Sequence, residues 1–155
     1  MSSHKMNNWK QFRSAYRESL AESNLAEARR YLQMAIERID EPNQRELAGM
    51  YNQVANISLR MNDPVSAEEA VRKAIETEVQ FGPPVVESDH MAAHHITLAL
   101  ALRNQDRYAE ALLTLDQGIA LYSQHLDDDN EVMINLNELR KSIESEKWRE
   151  RQKGN

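Results

Sequence analysis

The sequence predicts an all-α fold made of about three helix hairpins followed by a C-terminal capping helix. Apolar residues recur with the helical period of about 3.6 along nearly the whole chain, and no stretch alternates convincingly as a strand would. Proline-containing and polar segments interrupt this pattern at intervals. Small residues also recur at fixed positions in three of the helices, which indicates an internal repeat.

Seven helices follow from the periodicity and its interruptions. The breaks lie at residues 40–43, 62–64 and 81–84. Asn24, Asp63 and Asp89 are suitable helix starts, because short polar side chains accept hydrogen bonds from free backbone N–H groups. The predicted helices span residues 8–21, 24–39, 44–61, 64–80, 89–104, 107–125 and 129–151. The longest predicted loop is FGPPVVES, residues 81–88.

The repeat becomes visible when Ala28, Ala67 and Ala111 are aligned, which gives spacings of 39 and then 44 residues. In each helix a large residue follows four positions later, a small one seven later and an isoleucine eight later. These columns hold Leu32, Val71 and Leu115; Ala35, Ala74 and Gly118; and Ile36, Ile75 and Ile119. Small residues seven apart share one helical face and let a neighbouring helix approach closely. Gly118 is therefore predicted to be a packing residue, although glycine inside a helix costs about 0.5–1 kcal/mol.

These columns resemble the tetratricopeptide repeat (TPR). Tyr51, Val54 and Ala55 match its first helix in the second repeat, and LALALRNQDRYAEALLTLDQGIALY is the closest match overall. The resemblance implies a right-handed superhelical array in a single domain, residues 1–155, with repeats at about 9–42, 44–81 and 89–126 and a capping helix at about 129–151. Because the spacing exceeds the usual length of about 34 residues, the repeats are more similar to those of kinesin light chain and its bacterial relatives.

The two ends of the array are expected to depart from the repeat. A stacked array needs a terminal helix with one polar side to cover its last apolar face. The predicted apolar stripe of this helix comprises Val132, Leu136, Leu139 and Ile143. Arg140 occupies its small-residue column. At the other end Tyr16 replaces the small residue, so Trp9 and Phe12 are expected to help close an atypical first hairpin.

Composition and charge narrow the functional classes. The chain has no cysteine, which excludes disulfides and thiolate metal sites. The net charge is −6, but residues 1–30 carry a local +3 and residues 31–126 a local −7. The overall acidity and the lack of a basic stripe with interleaved aromatics argue against nucleic acid as a partner. No signal peptide is recognisable, and the most apolar run, residues 96–102, is too short for membrane insertion, so we expect a cytoplasmic protein.

The TPR resemblance implies a concave groove lined by the first helix of each hairpin, which in the family binds peptides or helices of partners. Transferring the register places these residues there: Lys10, Arg13, Arg17, Asn52, Asn56, Arg60, Ala93, Ile96, Leu100, Asn104, Asn137 and Lys141. Asparagine can recognise a peptide backbone, and arginine can hold a carboxylate with two hydrogen bonds. The expected ligand is a protein or peptide with acidic character at one end and an apolar portion near Ile96 and Leu100. A solvated inner face is the alternative interpretation.

The carboxylate clamp of TPR co-chaperones is not expected. Its basic and amide positions correspond here to Arg13, Arg17, Gln53, Ala93 and Thr97, so the two basic residues of the third repeat are missing.

Other kinds of site are weakly indicated. His90 and His94 are four residues apart, a spacing that can chelate a metal, but no further ligand is identifiable, so no metal and no cofactor is predicted. His95 occupies a column that holds large core residues. The run Asp127-Asp128-Asp129-Asn130-Glu131 lacks calcium-loop spacing and is interpreted as a helix start. No nucleophile or phosphate-binding motif occurs, so an enzyme is not expected.

Two functional classes remain. The first is a non-enzymatic adaptor or scaffold that binds a partner peptide or helix, either as a monomer or as a weak homo-oligomer. The second is a TPR-type chaperone or dimeric component of a larger bacterial assembly, similar to the chaperones of type III secretion. Those chaperones carry an additional N-terminal dimerisation region and keep the shorter repeat spacing, which favours the first class.

Overall fold

The computed structural model describes residues 8–81 and 89–154, and all of the regular secondary structure within those ranges is helical. The chain divides into two compact units, Met1–Gly82 and Pro83–Asn155. Each unit is built from consecutive helices that pack against their neighbours in the chain.

The first unit contains two helix hairpins. Helices α1 (Trp9–Ala21) and α2 (Leu25–Glu37) form the first hairpin, and α3 (Leu47–Arg60) and α4 (Pro64–Phe81) form the second. A 3₁₀ helix at Glu41–Glu46 joins the hairpins and packs on α3 and α4, while α2 packs directly against α3. The two hairpins are therefore in contact through the second helix of one and the first helix of the next.

The second unit contains one hairpin and a final long helix. Helices α5 (Asp89–Arg103) and α6 (Tyr108–Tyr122) pair, and α7 (Glu131–Lys153) packs on α6. The packing of α7 on α6 corresponds to that of α3 on α2 in the first unit.

All seven predicted helices are present, with ends that differ by up to three residues. The main difference is the start of the second hairpin, where residues 41–46 form a 3₁₀ turn ahead of α3. Pro42 lies near the start of this turn, because its missing N–H is tolerated before the first intrahelical bonds form. Phe81 is the last residue of α4, and the rest of the predicted FGPPVVES loop lies outside the described residues.

The small-residue columns lie in the core, as the sequence predicts. In each hairpin the aligned alanine and the residues four and seven positions after it are buried. These nine residues are Ala28, Leu32, Ala35, Ala67, Val71, Ala74, Ala111, Leu115 and Gly118. The isoleucines at offset eight are half-buried in all three. Each hairpin therefore uses the same stripe of its second helix for close packing.

The three hairpin turns also share one backbone conformation. Ser23, Asn62 and Asp106 have φ near +60° and are again spaced by 39 and 44 residues. The next residue in each turn donates its N–H to the carbonyl five positions back, over 2.8, 2.8 and 3.0 Å. This is the Schellman arrangement that ends helices, here with a residue other than glycine in the left-handed position. The structural repeat thus extends from the packing columns to the turns, which is compatible with a helical repeat protein.

At the beginning of the chain's described part, three large aromatic side chains fill the first hairpin. Trp9, Phe12 and Tyr16 are all nearly inaccessible to solvent on α1. The expectation that these residues close this end is consistent with their burial, because Tyr16 occupies the space that a small residue leaves in the other hairpins.

The capping helix packs through a different stripe from the predicted one. Met133, Leu136 and Ile143 are buried, whereas Val132 is 43% exposed and Leu139 is half-buried. Met133, Leu136, Arg140 and Ile143 follow one another at helical spacing and so share one face, which leaves Val132 outside it. On this face Arg140 donates from Nε and Nη2 to the Asp116 carboxylate of α6 at 2.7 and 3.2 Å.

Two histidines also differ from expectation. His94 is the buried one, at 2% exposure, while His95 is half-buried with its Nδ1 2.9 Å from the Met91 carbonyl oxygen. Position 94 corresponds to the buried Met50 of the second hairpin, 44 residues earlier. The core column therefore lies one residue before the position assigned from the motif.

Candidate functional site

Six of the predicted contact residues lie on the first helices of the two hairpins of the first unit. Three are on α1 and three are on α3. We call this set the basic face: Lys10, Arg13, Arg17, Asn52, Asn56 and Arg60. Lys10, Arg17, Asn56 and Arg60 are exposed, and Arg13 and Asn52 are half-buried.

Arg17 of α1 and Arg60 of α3 approach the same phenol group. Tyr16 is buried, and its burial raises the pKa of its hydroxyl above the ordinary value, while the positive charges of Arg17 and Arg60 act in the opposite direction. The charges of both guanidinium groups therefore act on one phenol, although the two arginines come from different hairpins. Neither arginine makes an ion pair with a described residue. They are two exposed cations that no described carboxylate compensates.

Arg13 is held differently from the other cations. Its Nη1 lies 3.7 Å from Glu46 Oε2, and its guanidinium stacks 4.7 Å from the centre of the Trp9 ring. These contacts bridge α1 to the start of α3, so Arg13 contributes to the packing of the two hairpins. Of the four cations in the set, it is thus the one already neutralised within the unit.

The amides of the basic face lie one helical turn apart on α3. Asn56 is exposed, and Asn52 is half-buried with its Oδ1 fully enclosed. No described residue donates a hydrogen bond to that oxygen. A buried acceptor without a donor costs about 1–3 kcal/mol, so Asn52 is a costly residue for this position unless it serves another purpose.

The remaining predicted contact residues belong to the second unit. Ile96 is half-buried, and its Cγ1 lies against the α-carbon region of Gly118, so it packs within its own hairpin. Leu100 and Ala93 are half-buried on the same helix, and Asn104 is exposed just after it. On α7, Asn137 is half-buried and Lys141 is exposed. Among these contact residues of the second unit only Lys141 is charged. They therefore form no charged cluster comparable to the basic face.

The candidate metal ligands do not share an environment. His90 is exposed at the start of α5, and His94 is buried one turn later. Within residues 8–81 and 89–154, no three side chains of histidine, aspartate or glutamate are grouped so that they could hold a metal ion. His125, which is also exposed, contacts Asp89 Oδ1 through Nε2 at 2.8 Å.

A cleft that the sequence did not predict lies between α2, α3 and α4 and has a volume of about 440 Å³. Its walls include Ile36, Val54 and Tyr51, with Lys73 Nζ 5.9 Å from the centre of the Tyr51 ring. No periodicity in the sequence marks it, because its lining comes from three helices at irregular intervals. Its polar side chains are those of Gln33, Glu37, Tyr51, Ser66, Glu69 and Lys73.

Comparison with known proteins gives no family for this chain. No protein-family model matches it, and no curated protein matches it. In the part of the chain that the structure describes, none of the helices combines the length and the apolarity that crossing a membrane would require.

Proposed function

We propose that this protein is a non-enzymatic adaptor or scaffold whose hairpins are long TPR-type repeats, and that its basic face binds an acidic segment of a partner protein. The partner segment is an extended peptide or a helix, and binding takes place in the cytoplasm. The single observation that carries this proposal is that Arg17 and Arg60, on the first helices of two hairpins, are exposed and have no carboxylate partner among the described residues.

The charge of the basic face supports an acidic ligand. It carries four cations, and one of them, Arg13, is compensated by Glu46. Exposed cations without a carboxylate partner repel one another, and a bound carboxylate relieves this repulsion. A ligand with at least two carboxylates would therefore gain more than a neutral one of the same size.

The amides of α3 support recognition of a main chain or side-chain amide next to that charge. Asn56 offers both a donor and an acceptor to solvent, and Asn52 retains an acceptor that no described residue satisfies. A ligand that draws Asn52 outward would remove the cost of its enclosed oxygen. Arginine and asparagine together suit a peptide more than a free small anion.

The test uses a synthetic fluorescent peptide with several adjacent aspartates and glutamates, measured by anisotropy at low salt. We expect Arg17→Gln/Arg60→Gln to weaken its binding about tenfold, because two exposed ion pairs of about 0.7 kcal/mol each are lost. The control is Arg149→Gln/Arg151→Gln on α7, which changes the net charge equally. An equal loss in both variants would contradict a localised site and indicate only general attraction.

Arg13 provides an internal comparison. Reversal of the charge at Arg13 would place a negative charge against Glu46, so it would disturb the packing of the hairpins as well as ligand binding. Arg17 and Arg60 are the cleaner pair because neither holds the hairpins together through an ion pair.

The chaperone-like alternative differs in oligomeric state. A dimer that persists at nanomolar concentration, with peptide binding unaffected by the basic-face variant, would favour that alternative over the adaptor.

A further inference from the structure

We propose that the basic face also binds the acidic turn of a second copy of this chain, so that the protein associates with itself head to tail. The acidic turn is the segment Asp127-Asp128-Asp129-Asn130-Glu131, between α6 and α7. This inference rests on the proposed function, since it uses the same face, and it identifies one acidic ligand that is always present.

The acidic turn carries more charge than its role as a helix start requires. Asn130 is the N-cap of α7 and accepts a hydrogen bond from the Val132 N–H at 2.9 Å, and Glu131 is in the first turn of the helix. Asp127, Asp128 and Asp129 precede the cap and are exposed. Their carboxylates make no hydrogen bond or ion pair with a described residue. Capping and the helix dipole therefore account for Asn130 and Glu131 but not for three consecutive aspartates.

The two surfaces carry opposite charges. Four free carboxylates in five residues face three cations, Lys10, Arg17 and Arg60, that have no ion pair within the described part of the chain. The acidic turn is compact, because the Asn130 N–H donates to the Asp127 carbonyl oxygen at 3.0 Å, so its carboxylates lie close together. Lys10 and Arg17 are seven residues apart on α1, which is about 10 Å along the helix. Their long side chains can converge on one turn, and the positive charge of Arg60 adds to the attraction.

The proposed contact joins two different patches, so it is heterologous. A contact of this kind can repeat, because a bound copy still presents its own free patch. It differs from an isologous dimer, in which each patch would meet its own copy. Because both patches are exposed and charged, association should be weak and should decrease with salt.

Sedimentation velocity from micromolar to millimolar protein tests this. We expect the wild-type chain to associate with increasing concentration at low salt and to do so at least about tenfold more weakly at high salt. The face variant, Arg17→Gln/Arg60→Gln, and the turn variant, Asp127→Asn/Asp128→Asn/Asp129→Asn, should each be monomeric. Controls with equal charge changes elsewhere, Arg149→Gln/Arg151→Gln and Glu69→Gln/Glu76→Gln/Glu138→Gln, should associate as the wild type does.

Mixing the two variants is the decisive measurement. The face variant keeps an intact turn and the turn variant keeps an intact face, so the mixture should form a one-to-one complex that cannot grow further. A wild-type chain that stays monomeric, a mixture that stays monomeric, or variants that associate as the wild type does would each overturn the inference. Circular dichroism of both variants should match the wild type, so that loss of folding is not the cause.

The outcome also separates this inference from the proposed function. The turn variant should bind the acidic probe peptide at least as tightly as the wild type does, because its face is intact and self-competition is removed. Peptide binding without self-association would overturn the inference alone. Self-association without peptide binding would overturn the general binding role and leave the second copy as the ligand.

Discussion

At Gly118 a Cβ atom would lie 3.2 Å from Ile96 Cγ1, 3.3 Å from the Ala92 carbonyl oxygen and 3.4 Å from His95 Cβ. The first neighbour is a side chain that can shift, but the second belongs to the backbone of α5. Glycine suits this helical position because α5 and α6 approach so closely that an added methyl group would push its neighbours away by a few tenths of an ångström. The same reasoning applies to the alanines at the corresponding positions, which have no exposed surface.

Enlarging a residue of this column should destabilise the hairpin. We expect Ala111→Leu to lower the free energy of unfolding by about 1–3 kcal/mol, because the added carbons have no space between α5 and α6. The matched control is Ala120→Leu on the exposed side of the same helix, which should change stability by less than about 0.5 kcal/mol. Urea denaturation followed by circular dichroism measures both. Equal stabilities of the two variants would contradict the close-packed column.

Asp63 links stability to pH. The Arg29 guanidinium donates to its carboxylate at 2.8 Å, and this bond, with a further one from Ser66, lowers the pKa of Asp63 below its ordinary value of 3.8. Because the pKa is lower in the folded state than in the unfolded state, the contribution to stability is present above about pH 4 and is lost as pH falls through the folded value.

Replacing Asp63 by asparagine removes the charge but keeps a residue that can cap α4. At neutral pH we expect Asp63→Asn to be less stable by up to about 1 kcal/mol, and the difference should shrink as the pH is lowered below 4. Asp128→Asn, at an exposed site without such a partner, should show no comparable pH-dependent difference. Thermal unfolding at several pH values tests this, and a difference that stays constant into the acid range would contradict the assigned ion pair.

Among the elements, the hairpin turns carry the clearest structural signature. Ser23, Asn62 and Asp106 adopt the left-handed conformation in three turns of different sequence. Asparagine and aspartate tolerate this conformation better than most residues do, and alanine does not.

The turn of the second hairpin should therefore distinguish glycine from alanine. We expect Asn62→Ala to destabilise the chain by about 1 kcal/mol, whereas Asn62→Gly should be close to neutral because glycine adopts positive φ without strain. Asn56→Ala, in the interior of α3 and exposed, serves as the control for loss of an asparagine side chain. If alanine and glycine at position 62 gave the same stability, the left-handed conformation at this turn would be in error.

At the scale of the whole molecule, the sequence predicts the helices and the packed columns well because both depend on local periodicity. The spacing of residues along the sequence is enough to predict the seven helices, the burial of Ala67 and Ala111 and the packing role of Gly118. The prediction for α7 was wrong at Val132, because α7 buries Met133 together with Leu136 and Ile143. Which side of α7 faces α6 depends on contacts between two helices, such as that of Arg140 with Asp116, and a helical-wheel projection considers one helix alone.

The candidate site could be predicted only in outline. The register names Arg13, Arg17 and Arg60 together, but it does not reveal that Glu46 neutralises Arg13 while Arg17 and Arg60 have no carboxylate partner among the described residues. Those facts depend on how α1 and α3 come together. In the second unit the register places Ile96 among the contact residues, and the structure adds that it packs beside Gly118.

The matching turns at Ser23 and Asn62 have a consequence for how this chain could lengthen. Residues 24–62 follow one left-handed residue, Ser23, and end on the next, Asn62. The same pattern of backbone hydrogen bonds surrounds both of these residues. They therefore constitute an interchangeable cassette of 39 residues, so that tandem duplication of the segment would rejoin the chain without distorting either boundary. Growth or shrinkage by whole cassettes is a change that this architecture can accommodate, whereas an insertion of arbitrary length inside a helix is not.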